Sequence, residues 1–195
     1  MGQYFDNEKL PSKMVKTSAV ILGKRFTFFT DNGVFSKDGL DFGSRLLLET
    51  IPLEEVGGKV LDMGCGYGVF GITLNKILSC SVDMVDVNLR ALHLSEINAK
   101  ENRCSNVRIF ESFTYSNIDS KYTSIVTNPP IRAGKKVVYD IVMNAKDHLE
   151  INGRLFVVIR KEQGAKSLIK DLQENGYNVD ILEKKGGFFI LKCYL

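Results

Sequence analysis

From residue 59 onward, short apolar runs rich in β-branched residues alternate with segments whose apolar residues recur every three or four positions. The short runs predict buried strands, and the longer spacing predicts amphipathic helices. The predicted strands are residues 59–62, 81–86, 106–110, 124–127 and 154–159. Strands and helices that alternate in this way favour a parallel sheet covered by helices on both faces.

Two segments in the second half of the chain each place their apolar residues on one helical face. The first face comprises Val138, Ile141, Val142, Ala145 and Leu149, and the second comprises Ala165, Leu168, Ile169 and Leu172. Asn88 directly follows the second predicted strand and is predicted to cap the next helix. The runs 177–182 and 188–194 are joined by only five residues, too few for a crossover helix, so we expect antiparallel neighbours.

Before the sheet, residues 15–22 and 25–30 flank a Gly23-Lys24 turn and predict a hairpin, followed by a helix around residues 40–50. The predicted fold is α/β: a Rossmann-like, seven-stranded, mostly parallel sheet with an antiparallel last strand, helices on both faces and an N-terminal β-hairpin extension. We expect one domain over residues 1–195, with the hairpin and the following loop in 1–38 and the core in 39–195.

The strongest local motif is Val60-Leu-Asp-Met-Gly-Cys-Gly-Tyr-Gly68, a strand that enters a glycine-rich turn and then a helix. Glycines allow a tight turn and a close approach of a nucleotide-like ligand to the main chain. With Gly71 the motif also fits the dinucleotide fingerprint. However, Asp62 would repel the pyrophosphate of NAD, whereas it favours the sulfonium and ammonium groups of S-adenosylmethionine (SAM). The alternative is that Asp62 only caps the turn.

Asp86 ends the second strand, twenty residues after Gly66, where an acid accepts hydrogen bonds from ribose hydroxyls. The alternative is that the acid is a simple solvent-facing residue without a ligand. Asp83, on the same strand, is the candidate for that role. SAM is the predicted cofactor. Its predicted site comprises Asp62, Gly64, Cys65, Gly66, Gly68, Asp86, Val87, Asn88, Ser112, Phe113 and Asn128.

The fourth strand is followed by Thr127-Asn-Pro-Pro-Ile131. Consecutive prolines stiffen the chain and contribute no N–H. The Asn128 side-chain oxygen and the Pro129 carbonyl can therefore each accept one N–H of a planar amine and aim its lone pair at a methyl donor. The predicted catalytic residues are Asn128, Pro129, Pro130 and Ile131, and an ordinary turn after a strand is the alternative.

Three further segments accompany these motifs: Gly33-Val-Phe-Ser-Lys-Asp-Gly-Leu-Asp-Phe-Gly-Ser44, Asn128 to Lys135, and Arg160-Lys-Glu-Gln-Gly-Ala165. Together with Lys185-Gly-Gly-Phe-Phe189, they make the chain resemble the RsmC-type small-subunit rRNA guanine-N2 methyltransferase family over nearly its whole length after about Tyr4. The resemblance implies a SAM-dependent methyltransferase that acts on an exocyclic amine of ribosomal RNA. Full-length members of that family also carry a second, N-terminal domain.

Many amino-methyltransferases have an aromatic residue after the second proline, and this chain has Ile131 there. Because stacking on the target base is worth roughly 1–3 kcal/mol, we expect Phe35 to supply it. The predicted substrate-binding residues are Phe35, Lys37, Arg132 and Lys135. They accompany a net charge of +3 and a pI of about 8.6, which are compatible with ribosomal RNA or a ribosomal subunit precursor as partner.

Composition and residue spacing argue against a membrane protein, a secreted protein and a metal site. The sequence contains no apolar run long enough to span a membrane, and its first sixteen residues lack the apolar core of a secretory signal, so a cytoplasmic protein is expected. The four cysteines are far apart and both histidines lack partners at metal-ligand spacing, so no metal site is predicted. The alternatives are the same chemistry on adenine N6 or a protein glutamine, or a non-catalytic RNA-binding assembly factor.

Overall fold

A computed structural model of the chain describes residues 11–34, 36 and 39–195. Nine strands are formed by these residues: β1 Val15–Ile21, β2 Lys24–Thr30, β3 Lys59–Met63, β4 Ser81–Asp86, β5 Val107–Glu111, β6 Tyr122–Thr127, β7 Leu149–Arg160, β8 Asn178–Lys185 and β9 Phe188–Tyr194. The α-helices are α1 Phe42–Thr50, α2 Val69–Leu78, α3 Leu89–Glu101, α4 Lys135–His148 and α5 Ala165–Glu174.

The main sheet has seven strands in the order β5-β4-β3-β6-β7-β9-β8. Neighbouring strands from β5 to β7 are parallel, whereas β9 is antiparallel to both β7 and β8. The predicted Rossmann-like sheet and its antiparallel last strand are therefore confirmed. The chain order reverses between β3 and β6, and at such a switch point the carboxyl ends of the strands border a crevice.

Apolar side chains are buried on both faces of this sheet. One face packs against α1, α2, α3 and the β1–β2 hairpin, through residues such as Leu47, Ile72 and Leu94. The opposite face packs against α4 and α5, through Ile141 and Leu168 among others. These two layers hold the carboxyl ends of β3, β4 and β6 at one edge, where the candidate site lies.

The N-terminal hairpin is attached to α3 by two asparagines one helical turn apart. Asn98 accepts from Phe29 N at 2.6 Å and donates to Phe29 O at 3.0 Å. Asn102 does the same for Thr27, at 3.1 and 2.7 Å. Each side chain thus pairs with the main chain of β2 as a neighbouring strand would, because an amide carries a donor and an acceptor.

Several predicted boundaries are wrong, and each has a local cause. The hairpin turn is Leu22-Gly23 rather than Gly23-Lys24, since both residues have positive φ, 48° and 76°, as a two-residue turn requires. Asn106 lies before β5 rather than in it, with a φ of 57°. Leu149 is the first residue of β7, not part of the preceding helix.

At the other end of the sheet, β8 continues to Lys185, so the predicted five-residue connection is reduced to Gly186-Gly187. Both glycines have positive φ, 57° and 80°, which again suits a two-residue hairpin turn. A register shift between Ile181 and Glu183 accompanies the longer strand. This turn lies beside the end of β7, because Lys161 N donates to Gly187 O at 2.8 Å.

Asp83 was predicted as a solvent-facing alternative to Asp86, and that expectation is wrong. Its side chain is 1% exposed. It accepts a hydrogen bond from the Tyr122 hydroxyl at 2.8 Å and lies 3.3 Å from Lys59 Nζ and 3.6 Å from Arg108 Nε. Side chains alternate between faces along a strand, but β4 is buried on both faces over residues 82–85, so Asp83 is buried and paired.

Candidate functional site

The glycine-rich turn connects β3 to α2 at the carboxyl edge of the sheet. The N–H groups of Gly64 and Cys65 both donate to Val85 O, each at 2.9 Å, which ties the turn to the end of β4. Gly68 directly precedes α2 with a φ of 91°, and a Cβ there would lie 2.8 Å from Ile72 Cδ1. The turn therefore requires glycine at this position and approaches α2 closely.

Asp62 lies beneath this turn, not within it. Its side chain is fully buried, and Oδ2 accepts from Gly71 N, in the first turn of α2, at 2.8 Å. Among the described residues, no group donates to its Oδ1. Burial raises the pKa of Asp62 to about 7. The hydrogen bond from Gly71 lowers this pKa, and the nearby Asp86 carboxylate raises it further. An unpartnered buried carboxylate oxygen favours a cationic group nearby.

Asp86 lies beside the same turn at the end of β4. Its Oδ2 accepts from Gly66 N at 2.9 Å and its Oδ1 accepts from Asn88 N at 3.0 Å. Burial raises its pKa, while these backbone hydrogen bonds oppose the rise. Each carboxylate oxygen has a second lone pair, so Asp86 can accept from a ligand and hold the turn simultaneously.

The other predicted cofactor residues surround this pair of acids. Asn88 caps α3 as predicted, accepting from Arg90 N at 3.1 Å and Ala91 N at 3.2 Å, and it also donates to Gly33 O at 3.2 Å. Ser112 is buried and its hydroxyl donates to Thr114 O at 2.8 Å, whereas Phe113 is half-exposed. Val87, between Asp86 and Asn88, is partly exposed, and these residues follow the carboxyl end of β4.

The N-terminal hairpin contributes to the wall of this crevice. Asn98, which pairs with β2, also donates to Tyr67 O in the glycine-rich turn at 2.9 Å. The Tyr67 ring contacts Phe28 edge-on, with centroids 5.6 Å apart. Arg90 donates to Asn32 O at 2.9 Å. The segment that follows β2 is thus anchored over the start of α3.

Asn128 follows β6, on the other side of β3. Its Nδ2 donates to Ser44 Oγ at 3.1 Å, and Ser44 is buried in the first turn of α1. Asp41 caps that helix and accepts from Ser44 N at 3.0 Å. Among the described residues, none donates to the Asn128 Oδ1. One end of the amide is held by protein, which leaves its oxygen as an acceptor.

The prolines give this acceptor a rigid neighbourhood. The carbonyls of Pro130 and Ile131 accept from Ala133 N at 2.9 Å and Gly134 N at 3.1 Å, whereas the Pro129 carbonyl has no donor among the described residues. Thr127 Oγ1 donates to Met63 O at 2.8 Å, which ties the motif to the end of β3. The Asn128 oxygen and the Pro129 carbonyl therefore remain as two neutral acceptors.

Of the four predicted substrate-binding residues, Arg132 and Lys135 are among the described residues. Arg132 and Lys135 are exposed just beyond the proline motif, and Lys135 Nζ lies 4.7 Å from the Tyr139 ring centroid. Phe35 and Lys37 lie outside the described residues.

No helix within the described ranges is long and apolar enough to cross a membrane. Residues 11–34, 36 and 39–195 also contain no cluster of three potential metal ligands.

Sequence reasoning missed three residues that shape the site. Ser44 holds Asn128, Ser95 Oγ donates to Gly66 O at 2.9 Å, and Asn98 joins the hairpin to the glycine-rich turn. Ser95 and Asn98 are fully buried on the inner face of α3. Their signal in the sequence is a polar side chain at an apolar helical position, because a buried polar group needs a partner.

Comparison with known proteins agrees with this geometry. The family model described as "Methyltransferase small domain" matches residues 25–192. The uncharacterized protein YbxB of Bacillus subtilis is 46% identical over 198 residues, covering 99% of this chain and 98% of that protein. Ribosomal RNA small subunit methyltransferase C of Vibrio parahaemolyticus is 35% identical over 184 residues, which cover 90% of this chain and 51% of that enzyme. The chain thus spans about half the length of this second relative.

The fold also matches solved structures. The Thermus thermophilus 16S rRNA N2 G1207 methyltransferase (RsmC), in complex with AdoMet and guanosine, superposes with a TM-score of 0.80 at 27% identity, covering 94% of this chain and 51% of that chain. The ribosomal protein L11 methylase of Lactobacillus delbrueckii has a TM-score of 0.69 at 21% identity, which shows a common fold only. By the extent of the family match and the identity to relatives, this chain belongs to the methyltransferase small domain family.

Proposed function

We propose that this protein transfers a methyl group from SAM to the exocyclic N2 amine of a guanine in small-subunit ribosomal RNA, in the cytoplasm. The observation that carries the proposal is the paired acceptor at the end of β6. The Asn128 amide is held through its nitrogen by Ser44, and its oxygen and the Pro129 carbonyl have no donor among the described residues. A planar amine has two N–H groups for two such acceptors.

The crevice fits SAM on its own chemistry. Asp62 has a buried oxygen without a donor among the described residues, which suits a ligand carrying positive charge. Asp86 can receive ribose hydroxyls, and it holds the partly exposed Gly66 of the glycine-rich turn beside it. Ser112, Phe113 and Asn88 complete the wall. A dinucleotide would place pyrophosphate above Asp62, where the charges repel.

SAM, when bound, supplies a methyl group on a cationic sulfur. The residues of this chain orient the amine: Asn128 and Pro129 each accept one N–H, which directs the nitrogen lone pair into the crevice. The carbon–sulfur bond would break as the new N–C bond forms, leaving a neutral thioether, and the Asn128 and Pro129 oxygens stabilise the positive charge that develops on nitrogen. Both acceptors are neutral, so the extra proton of the product leaves to water and no side chain serves as a strong base.

Guanine in ribosomal RNA is the favoured substrate because of the relatives. Relatives named ribosomal RNA small subunit methyltransferase C are 34% and 35% identical to this chain, and the T. thermophilus enzyme was solved with guanosine. Exposed Arg132 and Lys135 beyond the proline motif suit RNA phosphates. Phe35 and Lys37 are proposed to complete the substrate side.

The experiment is methyl transfer from labelled SAM to naked small-subunit rRNA, to small-subunit particles and to ribosomal proteins, followed by digestion to nucleosides and amino acids. The expected product is N2-methylguanosine in one of the two RNA-containing samples. Label in N6-methyladenosine or in a protein glutamine would contradict the guanine assignment. SAM binding without transfer to any of the three would favour a non-catalytic assembly factor.

A further inference from the structure

The sheet order divides the carboxyl edge into two sides. The acids and the glycine-rich turn of the proposed cofactor site lie on β3 and β4, and Asn128 follows β6. The next strands outward are β7 and β9, which lie away from the cofactor side. The ends of β7 and β9 are therefore one surface over which a substrate larger than one nucleotide can extend from Asn128.

Two aromatic rings and a guanidinium lie there: the exposed Phe42 and Arg160 with the half-buried Phe188, hereafter the Phe42 cluster. The Phe42 and Phe188 ring centroids are 5.7 Å apart, and the Arg160 Cζ lies 4.7 Å from the Phe188 centroid. Phe42 remains 48% exposed. It begins α1, the helix whose Ser44 contacts Asn128, so the cluster and the proposed amine site share one helix.

The position of the cluster can be estimated from strand register. Thr127 pairs with Val157 on β7, so Asn128 lies opposite Val158 and Arg160 is two residues further out. At about 3.3 Å per residue and about 4.8 Å between strands, Arg160 begins about 8 Å from Asn128. That is close enough for a nucleotide directly adjacent to the one whose base enters the amine site.

Two close approaches show that the rings are held in place. A Cβ at Gly43 would lie 2.6 Å from Phe188 Cε1, and a Cβ at Gly186 would lie 2.7 Å from Phe42 Cε1. The rings therefore pack directly on main chain at both glycines. Rigid aromatic side chains with an exposed face lose little conformational freedom when a planar ligand stacks on them.

The surface around the cluster carries excess positive charge. A cleft of about 490 Å³ beside it is lined by Arg160, Lys161, Glu162, Gly186 and Gly187. Arg160 lies 3.2 Å from Glu162, and the neighbouring Lys161, Lys184 and Lys185 are exposed. Two cations and one anion line the cleft, and the exposed Lys185 adjoins it next to Gly186, which favours an anionic partner.

The geometry points to the Phe42 cluster as the binding surface for a single-stranded RNA nucleotide that flanks the methylated one, with its base stacked on Phe42 and its phosphate near Arg160 and Lys161. Exposed aromatics combined with a basic groove are the features that bind unpaired RNA. This inference rests on the proposed function, since it assumes that RNA reaches Asn128. It also supplies an aromatic surface on the substrate side that the proline motif, ending in Ile131, lacks.

The test measures binding of a short, fluorescein-labelled, guanine-containing single-stranded RNA by anisotropy, at low and at physiological salt. Phe42→Leu keeps an apolar side chain but removes the stacking ring, and it is expected to weaken RNA binding about 5- to 100-fold, as loss of one stacked base does. Phe42→Trp is expected to retain binding. Arg160→Ala is expected to weaken binding and to reduce the salt slope by about one. SAM affinity, measured in parallel, is expected to stay unchanged in all three.

Ile151→Ala and Lys100→Ala are the matched controls, because both side chains are exposed and lie outside the cluster. RNA affinity of Phe42→Leu equal to that of the wild type would overturn the inference. The inference would also be overturned if Phe42→Leu bound ribosomal particles or proteins more weakly but bound naked RNA normally. The partner of the cluster would then be a protein. Failure of the proposed function is distinct: the wild type would then bind the RNA but methylate none, whatever residue 42 is.

Discussion

Ser44 Oγ accepts a hydrogen bond from Asn128 Nδ2 at 3.1 Å, across 84 positions of sequence. With its nitrogen turned toward Ser44 the amide directs its oxygen away from that residue, whereas a carboxamide rotated by half a turn would present N–H groups there instead. An amine substrate needs the oxygen. Ser44 is itself placed by the Asp41 cap of α1, so the start of that helix sets the orientation of the proposed catalytic side chain.

Ser44→Ala removes that hydrogen bond and frees the amide to rotate. We expect turnover to fall about 3- to 10-fold, in line with the net value of one hydrogen bond, while SAM affinity stays unchanged. Steady-state kinetics and calorimetry on the same preparation separate the two effects. In the Asn128→Ala background, the Ser44 substitution is expected to have no further effect on turnover; additive losses would mean that Ser44 acts independently of Asn128.

Asp86→Ala is expected to weaken SAM binding roughly 10- to 100-fold, since a charged hydrogen-bond partner contributes about 1.5–3 kcal/mol. It also removes the acceptor that holds Gly66 N and Asn88 N. The matched control is Asp83→Asn on the same strand, which keeps an acceptor for the Tyr122 hydroxyl. Calorimetry is expected to show wild-type SAM affinity for that control. Equal weakening by both substitutions would indicate general damage to β4.

The raised pKa of Asp62, about 7, predicts pH-dependent SAM binding. The cationic ligand favours the ionised carboxylate, so affinity is expected to fall as pH decreases from about 8 to about 6, by up to about tenfold. Asp62→Asn is expected to bind more weakly and to lose this pH dependence. Titrations of both proteins at several pH values check it, and an unchanged profile in the variant would assign the dependence to another group.

Without ligand, the same carboxyl gives the opposite trend in stability. The folded-state pKa of about 7 lies above the ordinary value of 3.8, so the folded protein holds a proton that the unfolded chain has lost in this window. The contribution of Asp62 is fully present below about pH 4 and is lost as pH rises through 7. In denaturant unfolding, the decline of stability with pH is expected to be smaller in Asp62→Asn than in the wild type, because the raised pKa of Asp86 contributes a decline to both.

The hairpin attachment predicts a larger effect on stability. Asn98→Ala leaves Phe29 N–H, Phe29 C=O and Tyr67 C=O without their partner in a buried position, and we expect a loss of more than about 2 kcal/mol of unfolding free energy. Asn102→Ala is the comparison, because Asn102 is half-buried and water can replace it, so about 1 kcal/mol is expected. Denaturant unfolding measures both, and a smaller loss for Asn98 would contradict this ranking.

Local signals predicted much of this architecture. The strand–turn–helix at Gly64 to Gly68 and the cap at Asn88 depend on neighbours in sequence, and both were predicted correctly. The ends of elements were less predictable: Leu149 has the helical spacing, yet it pairs with Tyr122 in the sheet. Its apolar side chain is buried in either conformation, so periodicity alone does not distinguish them.

Contacts between distant segments were not predictable from patterns. In the sequence, Ser44 has no feature that distinguishes it from other residues at the start of a helix. Its contact with Asn128 depends on the tertiary fold. Asp83 and Asp86 lie three residues apart on one strand, yet one is paired within the sheet and the other lies at its edge. The difference depends on which residues of β3, β5 and β6 surround each acid, and such neighbours follow from strand order.

The central claim is that Asn128 orients an amine for methyl transfer, and the decisive measurement compares turnover with SAM affinity in Asn128→Ala. Loss of one preorganised polar partner is expected to lower the rate of RNA methylation about 100- to 1000-fold while SAM affinity changes only a few-fold. Asn128→Asp keeps an acceptor and is expected to retain more activity than alanine. Normal methylation of RNA by Asn128→Ala would contradict the account and remove the basis for placing the amine at this motif.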